Sequence, residues 1–357
     1  MNSFPVRSAA AAISAAAATL ALGFSAGASA HEAQPGGNDG RVVVTASNAP
    51  TNQLLVFNLA GKLLGAIPTQ GQGGVGGNAG GIAAAHGMVA VVNFGSNNVT
   101  LLERRDGPGI FRVEKVIPTH GSPVSVAFGE DHLYVMTATQ VESHAISPRG
   151  VAASADGVAQ LLHADGSAGQ VGVVKGELIL TEKSNAVERV RLDAWGAVTG
   201  AAAMVADIPA NIDTPLGLAT RGNEAWVTLA HADEISLVRN DHVLTTTPSV
   251  TQHAPCWLAL DGPFLFSSNS PSMTISRYAV YGQRIVQDAA VVARLNGAPT
   301  DIVYHRGIAA VIDAGSGVSH VSIFNVDEDG NLALRGLATL PSTSTNGVAI
   351  VEDEDRR

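Results

Sequence analysis

The chain has 357 residues, a formal net charge of −10, 46% hydrophobic and 15% charged residues, 39 glycines and one cysteine. An acidic chain whose Lys and Arg are scattered has no electrostatic footprint for nucleic acid or anionic membrane, and the single Cys256 allows no intrachain disulfide. With aromatic residues at only 4%, a ring-lined surface for stacking on sugars is disfavoured as well.

Residues 1–30 read as an export signal: Arg7 near the start, an Ala-rich apolar run from Ala9 to Gly23, and Ala28-Ser29-Ala30 as a small-x-small cleavage site. The run is too short for a membrane span, no later stretch is apolar for long enough to make one, and no Cys stands near residue 30 to take a lipid. A periplasmic or secreted location and no membrane anchor are expected. His31 to Asp39 (HEAQPGGND) reads as a flexible leader.

From Arg41 the chain becomes a series of strand-length apolar runs separated by Gly, Asn, Asp and Ser, the residues that reach the positive φ of tight turns. The first group is RVVVTASN, QLLVFNL and KLLGAIPT. Between Gln70 and Gly81 lies GQGGVGGNAGG, with a formal G-x-G-x-x-G at Gly71, Gly73 and Gly76. A strand, a turn and another strand follow it instead of a helix, so it lacks the context of a dinucleotide site. It reads as a loop, and its backbone N–H groups are candidates for an anion surface.

Runs resembling first strands then recur near Gly81, Ser122, Gly169, Thr214, Ala254, Ala298 and Thr345, at intervals of 40 to 47 residues. That spacing, with four strands per unit, is the range of β-propeller blades. The unit is most complete from Ala298 to Leu334, where four runs alternate with turns. Seven first strands predict an all-β fold, a seven-bladed β-propeller of four-stranded antiparallel sheets occupying residues 40–351 as a single domain. The last first strand has no sequel, whereas RVVVTASN near Arg41 reads as a second strand. Val348 to Val351 is therefore expected to complete the N-terminal blade and close the ring, removing an open edge. Residues 352–357 read as a charged tail.

In such a ring the ends of second strands and the loops leading into first strands share one face. Second strands end at Asn48, Asn93, Glu182, Asn269 and Asp313; His120, Gln170, Asp213, His253 and Asp301 stand before or at the start of first strands. These side chains are expected to converge on an axial funnel and contact a ligand. Glu182 follows the apolar run ELILT, where a carboxylate can be tuned for general acid or base work; the alternative is a surface pair with Lys183. His253 and Cys256 are an odd separation apart along a strand, which sends them to opposite faces, so Cys256 is expected to be a buried structural residue. No C-x-x-C, H-x-x-x-H or EF-hand spacing occurs. No cofactor is expected, apart from a possible Ca²⁺ held by Glu182 with Asn93, Asn269 or Asp313.

The phrases NQLLVFN, GKLLGAIPTQGQGGVGG, VVNFGSNNVTLLER, LILTEKSNAVERVRLD, SSNSPSMTISRY and IDAGSG resemble the exported, seven-bladed lactonase-like propellers, related to 6-phosphogluconolactonase and the fungal carboxymuconate-lactonizing enzyme. The likeness covers nearly the whole chain after residue 40 and implies action on a small lactone. It also implies a His and Arg residues at first-strand starts, with a Glu after the fourth blade's second strand. Glu182 matches that Glu. The His position reads SPVSV around Val124, and the Arg positions read Gln170 and Thr300-Asp301. Loss of those cations removes complementarity to an anionic substrate. Two functions follow as expectations. One is hydrolysis of a neutral lactone or related cyclic ester, with Glu182 as base and Asn93, Asn269 and Gln170 orienting the substrate. The other is a non-catalytic monomer that binds a small molecule or an envelope or extracellular protein.

Overall fold

A strand that is apolar at consecutive positions must be covered on both faces. In Val42-Val43-Val44, Val42 and Val44 pack with Ile82, Val89 and Val91 of the next blade. Val43 packs with Ile308, Ala310 and Ile312 of the blade before. The hydrophobic core therefore lies in the seams between blades. Leu178 and Leu180, both fully buried in one such seam, contribute about 2 kcal/mol each by removal from water.

The computed structural model describes residues 40–105, 107, 109–208 and 214–352. The expected export signal and leader, Asp213 and the last residues of the charged tail lie outside the described residues. The described residues form seven antiparallel sheets arranged as blades. The inner strands of blades two to seven are Ile82–Ala85, Pro123–Phe128, Ala168–Val174, Pro215–Arg221, Pro255–Asp261 and Ala298–His305. Blade three departs from the four-strand pattern: its outer position is shared by the short strands Gly150–Val151 and Gly157–Gln160, both paired with Gln140–Ser147. Among the described residues no helix is long and apolar enough to cross a membrane.

Blade one closes the ring as the sequence predicts. Its inner strand Asn346–Val351 pairs antiparallel with Val42–Ala46, with Val43 opposite Ile350 and Thr45 opposite Val348. Thr45 Oγ1 also donates to the Gly347 carbonyl at 2.7 Å. The inner edge of each blade would leave N–H groups unpaired toward the axis, and several are taken up by the preceding blade. Val126 N donates to Gly80 O at 2.8 Å, Val171 N to Ser125 Oγ at 3.2 Å, Leu218 N to Gln170 Oε1 at 2.6 Å and Val348 N to Asp301 Oδ2 at 3.3 Å.

Candidate ligand site on the axial face

The glycine-rich segment between Gln70 and Gly81 is built into the axial face of the propeller. Its first half rests on Asn48, whose Oδ1 accepts the N–H of Gly74 at 2.6 Å and of Val75 at 3.1 Å, while Nδ2 donates to Val75 O at 2.7 Å. Gly73 lies so close to the Asn48 backbone that a Cβ there would sit 2.2 Å from its carbonyl carbon. Only glycine fits.

The second half crosses the axis. Asn78 donates to Val124 O of blade three at 2.6 Å and exchanges amide contacts with Asn346 of blade one at 2.9 and 3.3 Å. Its carbonyl accepts the indole N–H of Trp257, from blade six, at 3.0 Å. Ala79 N donates to Gly169 O of blade four at 3.3 Å, and Gly80 N to Asp301 Oδ2 of blade seven at 3.3 Å. Lys183 of blade four reaches up to Gly77 O at 2.7 Å. Five blades hold the segment, so the axis is closed by the chain itself. Its N–H groups from Gly73 to Val75 and at Ala79 and Gly80 are satisfied internally and do not form the anion surface their sequence suggests.

Two cavities flank this closure. On the axial face, a cavity of about 330 Å³ is bounded by Asn48, Gly74 to Asn78, Trp257, Thr300 and the loop Thr343 to Asn346. Below the closure, an axial cavity of about 440 Å³ is walled by the inner strands, with Gly80, Gln170 and Asp301 at its closed end. Burial pushes the Asp301 carboxyl up to about 7, against the three backbone N–H groups of Ile302, Gly80 and Val348 that favour its charged form.

Asn93, Glu182, Asn269 and Asp313, which end second strands, are fully buried, and the structure distributes them over separate seams. Asn93, Glu182 and Asp313 share parity with the apolar residues two and four positions earlier, which pack against the preceding blade. Asn93 accepts from Asn52 Nδ2 at 3.0 Å and Thr69 Oγ1 at 2.7 Å, and donates to Asn98 and Thr100 at 2.7 and 2.8 Å. Asn269 accepts from Ser267 at 2.8 Å and donates to Thr274 and Ser276 at 3.1 and 2.8 Å. Asp313 is bound by His320 Nδ1 at 2.8 Å, which does not fully offset the burial raising its carboxyl. Asn93, Asn269 and Asp313 share no contact with Glu182, so the cation site expected from them is not assembled. Among the described residues no group of three or more His, Cys, Asp or Glu side chains is placed to hold a metal ion.

Glu182 lies in the seam between blades three and four, beside Glu188. Both are fully buried, and neither Glu182 oxygen nor Glu188 Oε2 has a hydrogen-bond partner. Burial first, and the Glu188 carboxyl second, push Glu182 up to about 9. Two such groups side by side are tolerable only if they share a proton. Lys183 does not pair with Glu182; its ammonium goes to Gly77 and Ala168 carbonyls.

His120 and His253 stand exposed on the axial face, each held by a carboxylate. His253 Nδ1 lies 2.8 Å from Asp233 Oδ2, and His120 Nδ1 lies 3.4 Å from the fully buried Glu142. Cys256 is buried, and burial raises its thiol to about 11, so it forms no reactive couple with His253. The cavity-lining Asn48, Trp257, Thr300 and Asn346 did not stand out together in the sequence, because three different blades supply them. Repeated glycine at 71–81 was the one signal available.

No family model matches the sequence, and no curated protein matches it. Solved structures do. A functionally unknown protein of Desulfotomaculum acetoxidans superposes with a TM-score of 0.65 at 13% identity, over 88% of this chain and 99% of that one. A candidate 6-phosphogluconolactonase of Bacteroides fragilis gives 0.62 at 12% identity, over 89% of this chain and 100% of that one. Virginiamycin B lyase of Staphylococcus aureus gives 0.55 at 17% identity, over 77% and 88%. The chain thus has the seven-bladed propeller fold of these proteins, candidate 6-phosphogluconolactonases among them.

Proposed function

We propose that this chain is an exported, lactonase-like propeller that binds a small uncharged molecule, of the size and polarity of a lactone, without turning it over. The observation that carries this reading is the chemistry of the 330 Å³ cavity on the axial face: amides, hydroxyls, backbone and one indole, with no titratable side chain among its walls. That volume is at the small end of ligand pockets. Neutral hydrogen-bonding groups around an aromatic wall suit a neutral polar ligand. Hydrolysis requires a proton-transfer group within about 3 Å of the reacting atoms or one water away, and none lines this cavity. Glu182 holds its proton at neutral pH, which is the wrong state for a base. Export rests on the pattern of residues 1–30.

A second reading, hydrolysis of a neutral lactone, is favoured by the likeness in fold to candidate 6-phosphogluconolactonases. One experiment separates the two. Neutral lactones are titrated calorimetrically into the purified chain and assayed for ring opening, alongside Gly76→Phe and Glu182→Gln. A side chain at Gly76, which lines the cavity, meets nothing within 4 Å of its Cβ, so Gly76→Phe places a ring at the cavity without forcing the backbone. Saturable binding lost in Gly76→Phe and kept in Glu182→Gln, without ring opening, is the expected result. Turnover abolished by Glu182→Gln establishes the hydrolase instead.

A further inference from the structure

Below the segment that closes the axis, the 440 Å³ cavity is a channel with one blind end. Gly80, Gln170 and Asp301 form that end, and the inner strands form the walls for about 10 Å along the axis. The side chains of those strands turn into the seams between blades: Ile82 and Ala84 pack with residues of blade one, and Val126 and Val171 join the core between blades two, three and four. The channel walls are therefore largely backbone.

Inner-strand residues alternate between facing their own sheet and facing away from it. Val126, Val171, Leu218 and Ile302 turn their N–H groups away, to Gly80 O, Ser125 Oγ, Gln170 Oε1 and Asp301 Oδ1. Two residues further from the blind end, Phe128, Val173, Thr220 and Tyr304 face the same way, and all four line the channel. Among the described residues no neighbouring blade takes up their N–H groups. Gln170 adds a donor at the blind end. Its Oε1 is committed to Leu218 N at 2.6 Å, which fixes the amide. Its Nε2 lies 3.5 Å from where a Cβ on Gly80 would sit and has no hydrogen-bond partner among the described residues.

Such walls select their occupant. An apolar ligand would cover backbone N–H and C=O groups without replacing the water on them. An anion would meet the carbonyls, and a cation the N–H groups, at the same depth. A molecule that donates and accepts along its length satisfies both, and a hydroxyl does so at a single atom. We propose that the channel is a second ligand site, taking a neutral acyclic polyol whose terminal hydroxyl accepts from Gln170 Nε2 while the others bond the axis-facing backbone of blades three, four, five and seven. This site lies on the opposite side of the closure from the 330 Å³ cavity and does not depend on what that cavity binds.

The test is an NMR titration of the ¹⁵N-labelled full chain with sorbitol, with 1-hexanol and inorganic phosphate as the apolar and anionic alternatives. Sorbitol is expected to shift the Gln170 side-chain amide and the backbone amides of Phe128, Val173, Thr220 and Tyr304 saturably, and to give NOEs from its C–H protons to them. Gly76→Phe, which alters only the other cavity, should leave these effects unchanged, and Gln170→Met should weaken binding about 5-fold or more. Gln170→Met also gives up the acceptor for Leu218 N, so the NOEs in the unaltered chain carry the test if that variant does not fold. Shifts that do not saturate, sorbitol binding lost in Gly76→Phe, or 1-hexanol or phosphate taken in preference overturns the proposal.

Discussion

Asp301 Oδ2 accepts the backbone N–H of Gly80 at 3.3 Å, so the inner strand of blade seven holds the segment that closes the axis. The same oxygen accepts Val348 N from the closing strand at 3.3 Å. One carboxyl thus joins the ring closure to the axial closure. Its location makes both depend on pH.

Burial raises Asp301 to about 7 from 3.8 in the unfolded chain. The folded protein therefore holds a proton that the unfolded chain has already lost, and stability falls as pH rises from about 4 to 7, then levels for this group. Asp301→Asn, which cannot ionise, is expected to remove that part of the slope in urea denaturation followed at pH 4, 5.5 and 7.

Glu182 acts over a wider window. Its pKa of about 9 in the folded state, against 4.5 unfolded, lowers stability progressively from about pH 4.5 to 9. Above pH 7 the Asp301 contribution has ended, so of these two groups only Glu182 continues to lower stability. Glu182→Gln is expected to flatten this decline and to stabilise the protein at pH 8 by about 1–3 kcal/mol. A loss of stability at pH 8 in this variant would show that the pair does not share a proton.

Lys183 secures the middle of the glycine-rich segment through Gly77 O at 2.7 Å. Burial holds its ammonium below the usual lysine range, so the contact weakens at alkaline pH. Lys183→Met is expected to cost about 1 kcal/mol in global stability. The larger effect falls on hydrogen exchange, where amides from Gly74 to Gly77 should exchange faster while the blade strands stay protected.

Ring closure rests on six residues. Val348 is 4% exposed between Thr45 and the seam with blade seven, and Val348→Asp places an unpaired charge there at a cost of about 3–5 kcal/mol. The expected outcome is an open ring that elutes early or aggregates on size exclusion. Thr45→Val, which loses only the bond to Gly347 O, should cost about 1 kcal/mol and leave the elution volume unchanged.

Seven similar runs from Gly81 to Thr345, turn residues between them, and an orphan first strand at the end of the chain were enough to read the fold and the closure of the N-terminal blade by Val348 to Val351. Local chemistry carries that information, because strand alternation and turn preference depend on neighbours in sequence. The direction of Glu182, Asn93, Asn269 and Asp313 was not legible. Their strands are apolar on both faces, and nothing along one strand says which face meets which blade. GQGGVGGNAGG reads as a free loop for the same reason: its stops are Asn48, Trp257, Lys183 and Asp301, which come together only when the ring closes. Sequence determined the blades and their closure; packing of blade against blade decided which polar groups are buried, paired or left facing a cavity.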